Sequence, residues 1–289
     1  MGDIAFDTRS SSRFTPNPLA MRRLASLAVA LLVAFGLAGC FQNEVVINVN
    51  PDGSGTIVET FLLTPAALEQ MRAMQAQFSD DGEEFSLIDK DELTEQAAQY
   101  GAGVRFVSAE PLKSDAGEGY RATYAFDDVT KLDVKMDQAG GDSAPMGMDD
   151  DSPGLRFDFT PGDLASLTIR VPQEEAMADA AEESGMADEM ANADSAQQAM
   201  AMEMMRGMLD GMHIRMVVAP QGTIASTDAT YREDGRIVLL DVTGDILLDD
   251  SGALQKLSAT QDPAAARALL ADIPGLKVET QEEVSVSFE

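Results

Sequence analysis

The stretch NEVVINVNPDGSGTIVETFLL, residues 43–63, decides how the body of this chain folds. The apolar residues at positions 45, 47 and 49 share one face at a period of two, which is typical of a strand with one buried face. The Pro-Asp-Gly-Ser-Gly sequence at 51–55 predicts a turn. The same period continues across residues 57–61 and places Glu59 on a face with two apolar residues. We therefore predict a β-hairpin.

A calcium-binding loop is the rival interpretation of these residues. Asn48, Asn50, Asp52, Gly53 and then Glu59 nearly match the spacing of an EF-hand loop. An asparagine stands where the first aspartate is usual, and neither flank has the spacing of a helix. The plain hairpin is the better interpretation.

Beyond the hairpin, predicted helices and strands follow one another. Thr64 and Pro65 begin an Ala/Leu/Met/Gln-rich helix that reaches about Phe78, and a second helix is predicted from about residue 90 to 100. Alternating segments later in the chain predict further strand pairs. We expect an α+β fold with antiparallel β-hairpins or a sheet, packed helices, and a helical insertion rich in Met, Ala and Glu.

Composition divides the chain into four predicted parts. Residues 1–39 are predicted to be a signal peptide, and residues 40–136 an N-terminal α+β part. Residues 137–153 are acidic and rich in glycine, which predicts a flexible linker. Residues 154–289 are predicted to be a β-rich C-terminal part, with the helical insertion at 173–212.

The single cysteine, Cys40, ends an apolar run. Residues 24–39 carry no charge, follow the basic sequence Met-Arg-Arg at 21–23, and are too short to span a bilayer. We interpret Met21 as the true initiator and residues 1–20 as an over-extended start. The run ends in Leu-Ala-Gly-Cys, which resembles the lipobox of bacterial lipoproteins.

The lipobox resemblance implies a lipid anchor. A signal peptidase would cleave between Gly39 and Cys40, and Cys40 would carry an S-diacylglyceryl group and an N-linked acyl chain such as palmitate. Two or three acyl chains anchor a protein stably, since each buried CH₂ contributes about 0.8 kcal/mol. Phe41, rather than an aspartate, follows the cysteine, which favours the outer membrane facing the periplasm; a Gram-positive cell surface is the alternative.

Methionines are concentrated in the second half of the chain, and the segment 200–216 contains several of them. Thioethers are soft ligands suited to Cu(I), so Met204, Met208, Met212 and the neighbouring His213 are candidate metal ligands. The same spacing is typical of an amphipathic helix whose methionines pack or contact a partner. Both interpretations stay open, with packing or partner contact favoured.

The charge of the chain restricts its partners. With 50 acidic and 20 basic residues, the net charge is −30, which makes nucleic-acid binding unfavourable. The sequence lacks HExxH, GxSxG and P-loop patterns, and its one histidine has no supporting motif. We predict a protein that is not an enzyme and has no cofactor, with a carboxylate-based hydrolase as the alternative.

The layout resembles an LppM-type lipoprotein domain. The similarity rests on a lipobox cysteine followed by a strand, NPDGSG, a strand and a helix, and on the block VVAPQGTIAST…REDGRIVLLDV at 217–242. An inserted residue at 220–222 and the absence of tryptophan depart from the pattern. The resemblance implies a non-catalytic envelope domain that contacts lipid or another envelope component. We therefore predict an envelope lipoprotein that binds an envelope partner or an apolar ligand, with periplasmic copper binding as the alternative.

Overall fold

The computed structural model describes residues 41–78, 86–135, 154–172, 206–207, 209–249, 269 and 271–289. All of them belong to one compact unit, Gly36–Glu289. The predicted signal peptide, Cys40, the predicted linker and most of the predicted insertion lie outside the described residues. No helix in the described ranges is both long enough and apolar enough to cross a membrane.

The regular structure of the described residues includes twelve strands, three α-helices and one 3₁₀ helix, Val129–Lys131. The strands are β1 (Phe41–Val49), β2 (Gly55–Leu63), β3 (Arg105–Ser114), β4 (Gly117–Phe126), β5 (Arg156–Thr160), β6 (Ala165–Arg170), β7 (His213–Pro220), β8 (Ile224–Thr227), β9 (Arg232–Glu233), β10 (Arg236–Thr243), β11 (Lys277–Val278) and β12 (Glu283–Phe288). The α-helices are α1 (Pro65–Phe78), α2 (Lys90–Gln99) and α3 (Gly244–Asp249).

The predicted hairpin is confirmed. Strands β1 and β2 pair antiparallel in continuous register, and Val49 faces Gly55 beside the turn. A side chain at Gly55 would place its Cβ 1.9 Å from the carbonyl oxygen of Asn48, so only glycine fits there. Asp52 accepts a hydrogen bond from the backbone N–H of Ser54 at 2.9 Å, and Glu59 lies in the interior. These positions fit a hairpin and not a calcium loop.

Two sheets form the body of the described chain. The larger has eight strands in the order β11-β10-β7-β1-β2-β4-β3, with β9 paired to β10. Within it, β1 and β7 run parallel, whereas the other pairs are antiparallel. The smaller sheet is antiparallel, in the order β5-β6-β12-β8.

The predicted fold class, α+β with antiparallel hairpins and packed helices, is wrong. The described part of the chain is mostly β-sheet, and its larger sheet is mixed. The error has a physical reason: side-chain periodicity shows which face of a strand is buried, but not which distant strand it pairs with. The parallel pairing of β1 with β7 joins residues as far apart in sequence as Glu44 and Arg215, and no local sequence pattern predicts it.

The main hydrophobic core contains side chains from both sheets. The larger sheet contributes Ile47 and Met216, and the smaller one contributes Ile169 and Val286, all of them at most 1% exposed. A second cluster includes Phe41, Leu63, Ala67, Leu68 and Met212, and so joins the first turn of α1 to the ends of β1 and β2. Both clusters lie in the compact unit, which therefore has a core of its own.

Candidate functional site

A cavity of about 430 Å³ is lined by one end of the larger sheet and by the two helices that follow β2 in the chain. Its volume is within the range of about 300–1,000 Å³ that is usual for ligand pockets. The apolar lining comes from both the sheet and the helical segments: Phe41, Phe61, Leu63, Met71, Leu87 and Leu93. The polar lining consists of Glu59, Asp89, Glu92, Glu95, Gln96, Gln99 and Tyr120. We refer to this space as the helix–sheet cavity.

Local sequence signals determine where the two helices beside the sheet begin and end. Thr64 follows β2 directly, and its side-chain oxygen accepts a hydrogen bond from the backbone N–H of Ala67 at 3.4 Å. Asp89 caps α2 and accepts from the backbone N–H groups of Asp91 and Glu92 at 2.9 and 3.2 Å. The helix ends before Gly101, whose φ of 129° is left-handed. Both predicted helices are confirmed.

Glu59 is a buried carboxylate in the wall of this cavity, with 1% of its surface exposed. Three tyrosine hydroxyls surround it: Tyr100 lies 3.2 Å and Tyr124 3.3 Å from Oε2, and Tyr120 lies 3.4 Å from Oε1. The Tyr124 hydroxyl also lies 2.8 Å from Oε1 of Gln96. A hydroxyl has one proton to donate, so Tyr124 cannot donate fully to both acceptors.

Burial dominates the ionisation of this group. It raises the pKa of Glu59, and hydrogen bonds from Tyr100, Gln96, Tyr124 and Asn43 oppose that rise. Burial, together with the nearby Glu59 charge, also raises the pKa values of Tyr100 and Tyr124. These hydroxyls therefore stay protonated and act as donors towards the carboxylate.

A second cavity, of about 460 Å³, lies at the turn end of β1 and β2. Its lining is mostly polar, and its amide groups are already bonded to the protein. Gln221 donates to Oδ1 of Asn48 at 3.1 Å, and Asn50 donates to the hydroxyl of Ser54 at 3.0 Å. The helix–sheet cavity is thus the better candidate for binding an apolar molecule.

Two of the four candidate metal ligands, Met212 and His213, are among the described residues. Met212 is buried in the cluster with Phe41 and Leu63, whereas Nε2 of His213 lies 2.9 Å from Oδ1 of Asp241. Met204 and Met208 lie outside the described residues. Among the residues that the structure describes, no group of three His, Cys, Asp or Glu could hold a metal ion. Copper binding by the Met-rich segment stays a prediction.

An ion-pair network crosses the larger sheet at residues that the sequence did not single out. Arg215 contacts Glu44 at 2.8 Å, Glu233 at 2.6 Å and Asp241 at 3.5 Å. Lys277 binds the same Glu233 and lies 3.4 Å from Asp241. Because β1, β7, β9, β10 and β11 supply these side chains, only the tertiary pairing of the strands brings them together.

Comparison with known proteins finds a distant structural similarity and no similar sequence family. No family model and no curated protein matches the chain. A distantly similar structure is the folded domain of LppM from Mycobacterium tuberculosis, at 10% sequence identity and a TM-score of 0.29. The match covers 70% of this chain and 81% of that one. A TM-score this low carries no argument about function, so the predicted membership of an LppM-type family stays a prediction.

Proposed function

We propose that this protein is a non-enzymatic lipoprotein of the bacterial envelope, and that its β-rich domain binds an apolar ligand in the helix–sheet cavity. The observation that carries the proposal is the cavity itself, with its apolar lining and its volume of about 430 Å³. The one histidine, His213, is not among the residues that line it.

The proposed anchor lies beside this cavity in the chain. Phe41, the first residue of β1, lines the cavity and directly follows Cys40. Consecutive Cα atoms are about 3.8 Å apart, so acyl chains on Cys40 hold this end of the domain at the bilayer surface. A ligand that partitions into the membrane then meets the cavity close to its source. We propose the outer membrane, facing the periplasm, as the location.

Ligand binding is tested with the apolar fluorescent probe N-phenyl-1-naphthylamine and the isolated unit Gly36–Glu289. We expect saturable binding at one site. Met71→Trp fills the cavity and should weaken binding at least about tenfold, whereas Leu164→Trp adds the same ring at a residue that is 53% exposed and outside the cavity lining. No saturable binding, or equal binding by both variants, would contradict the proposal.

The anchor is tested in a Gram-negative host with the full chain and a Cys40→Ser variant. We expect the unaltered protein in the membrane fraction, with an N-terminal peptide whose mass shows a diacylglyceryl group and an amide-linked acyl chain on Cys40. The serine variant should keep its uncleaved signal peptide and lack both groups. An unmodified Cys40 in the aqueous phase of a detergent partition would refute the anchor and leave the cavity proposal to its own test.

A further inference from the structure

The opening of the helix–sheet cavity carries negative charge. Asp89, Glu92 and Glu95 line it, and all three are exposed residues at or in α2. The lining residues include no lysine, arginine or histidine. Arg72, the basic residue of α1, forms an ion pair with Glu118 at 3.0 Å. A ligand that enters therefore passes three carboxylates with no compensating cation in the lining.

The wall of the cavity adds a fourth carboxylate in a different environment. Glu59 is 1% exposed, and its hydrogen-bond donors are neutral hydroxyl and amide groups. Within the described ranges, it forms no ion pair, and no basic side chain contributes to its pKa. The Coulomb attraction between a cation and a carboxylate in such a poorly solvated place is stronger than in water, because the local dielectric constant is low. This buried acid and the acidic opening are independent features of one cavity.

We propose that the helix–sheet cavity takes a cationic amphiphile, a molecule with one apolar chain and a protonated amine, and that it disfavours fatty-acid anions. The apolar residues on the sheet and helices hold the chain. The amine is attracted by Glu92 and Glu95 at the opening and lies towards Glu59 in the wall. This inference rests on the proposed function, since it specifies the class of ligand for the same cavity.

The test compares three ligands with the same chain: dodecylamine, dodecanol and dodecanoate, each below its micelle concentration. Each ligand displaces N-phenyl-1-naphthylamine from the unit Gly36–Glu289. We expect the amine to bind about tenfold more tightly than the alcohol, because charged hydrogen bonds are stronger than neutral ones. Dodecanoate should bind most weakly, because the three exposed carboxylates at the opening repel it.

A protein with a net charge of −30 attracts amines to its whole surface, so the variants are matched in charge. Glu92→Gln/Glu95→Gln removes two charges at the opening. Glu110→Gln/Asp163→Asn removes two exposed charges outside the lining. The first pair should reduce the preference for amine over alcohol about three- to fivefold, a size typical of two exposed charge contacts. The second pair should leave the preference unchanged.

Glu59→Gln tests the buried acid. Relative to the unaltered protein, this variant should show a smaller preference for dodecylamine over dodecanol. Its affinity for dodecanol should stay unchanged, which would show that the cavity is intact. If Glu59→Gln loses dodecanol binding as well, the comparison of Glu92→Gln/Glu95→Gln with Glu110→Gln/Asp163→Asn decides whether the cavity prefers a cation.

The outcomes separate the two proposals. If none of the three ligands displaces the probe, the proposed function fails. If all three bind alike, or dodecanoate binds most tightly, the cavity proposal stands and the cationic ligand is overturned. An amine preference that is the same in both double variants also overturns it, because surface charge then accounts for the attraction.

Discussion

Removal of the Tyr100 hydroxyl should destabilise the protein by an amount that depends on pH. Tyr100 is 0% exposed, and its hydroxyl lies 3.2 Å from Oε2 of Glu59. Tyr124, the other hydroxyl near that oxygen, also lies 2.8 Å from Gln96. Tyr100→Phe keeps the ring, whose centroid is 5.0 Å from that of Tyr124, and so removes one hydrogen bond with little change in packing.

The magnitude follows from the charge of the acceptor. A hydrogen bond to an ionised group contributes about 1.5–3 kcal/mol to stability, and a neutral one about 0.5–1.5 kcal/mol. We therefore expect Tyr100→Phe to cost about 2 kcal/mol when Glu59 is ionised and about 1 kcal/mol when it is protonated. Loss of a donor also raises the pKa of Glu59 further, so the variant should lose more stability than the unaltered protein as the pH rises.

Urea unfolding of the unit Gly36–Glu289 at several pH values measures this difference. Tyr231→Phe is the control, because the Tyr231 hydroxyl makes no hydrogen bond to another described residue; its cost should stay within about 0.5 kcal/mol. A cost for Tyr100→Phe that is below about 0.5 kcal/mol, or that is the same at every pH, would refute the view that this hydroxyl binds an ionised Glu59.

Three further predictions concern the sheet and its buried groups. Burial raises the pKa of Glu59 above 4.5, so the folded state holds the carboxyl proton more tightly than the unfolded chain does. The free energy of unfolding should therefore fall as the pH rises from about 4.5 through the folded-state pKa. In urea unfolding, Glu59→Gln should lack this component of the pH profile. Gly119→Ala would place a Cβ 1.8 Å from the carbonyl oxygen of Phe61, so it should lower the thermal unfolding temperature strongly, whereas Gly162→Ala, with its nearest contact at 3.3 Å, should change it little. Arg215→Met removes the cation that contacts Glu44, Glu233 and Asp241, and should lower the free energy of unfolding by about 1–3 kcal/mol. An unchanged midpoint of urea unfolding would contradict the structural role of this network.

Single strands, turns and helices could be predicted from the sequence because the residues that determine them lie within or next to each element. The alternation in β1 and β2, the glycine-rich turn, Thr64 before α1 and Gly101 after α2 each act within a few residues, and the structure confirms the corresponding elements. The sheet order was not accessible in this way. The parallel pair β1–β7 depends on contacts between segments separated by most of the chain, and a hairpin pattern favours antiparallel neighbours.

The candidate site was only partly visible in the sequence. The alternation in β2 placed Glu59 on a face with two apolar residues, but the same residue also fitted a calcium-loop pattern. Its partners come from other elements: Tyr100 follows α2, whereas Tyr120 and Tyr124 lie on β4. Spacing within one segment cannot show that these hydroxyls meet around one carboxylate. The predicted anchor at Cys40 and part of the Met-rich segment lie outside the described residues, and both functions stay predictions.

The central claim is tested most directly by mapping the residues at which an amphiphile binds. In an NMR titration of the unit Gly36–Glu289 with dodecylamine, the largest amide shifts should fall at residues 41, 61–63, 71 and 87–99, which line or flank the helix–sheet cavity. The Met71→Trp variant should lose those shifts. Shifts centred on residues 48–56 at the polar cavity, or spread evenly over the acidic surface, would contradict the account.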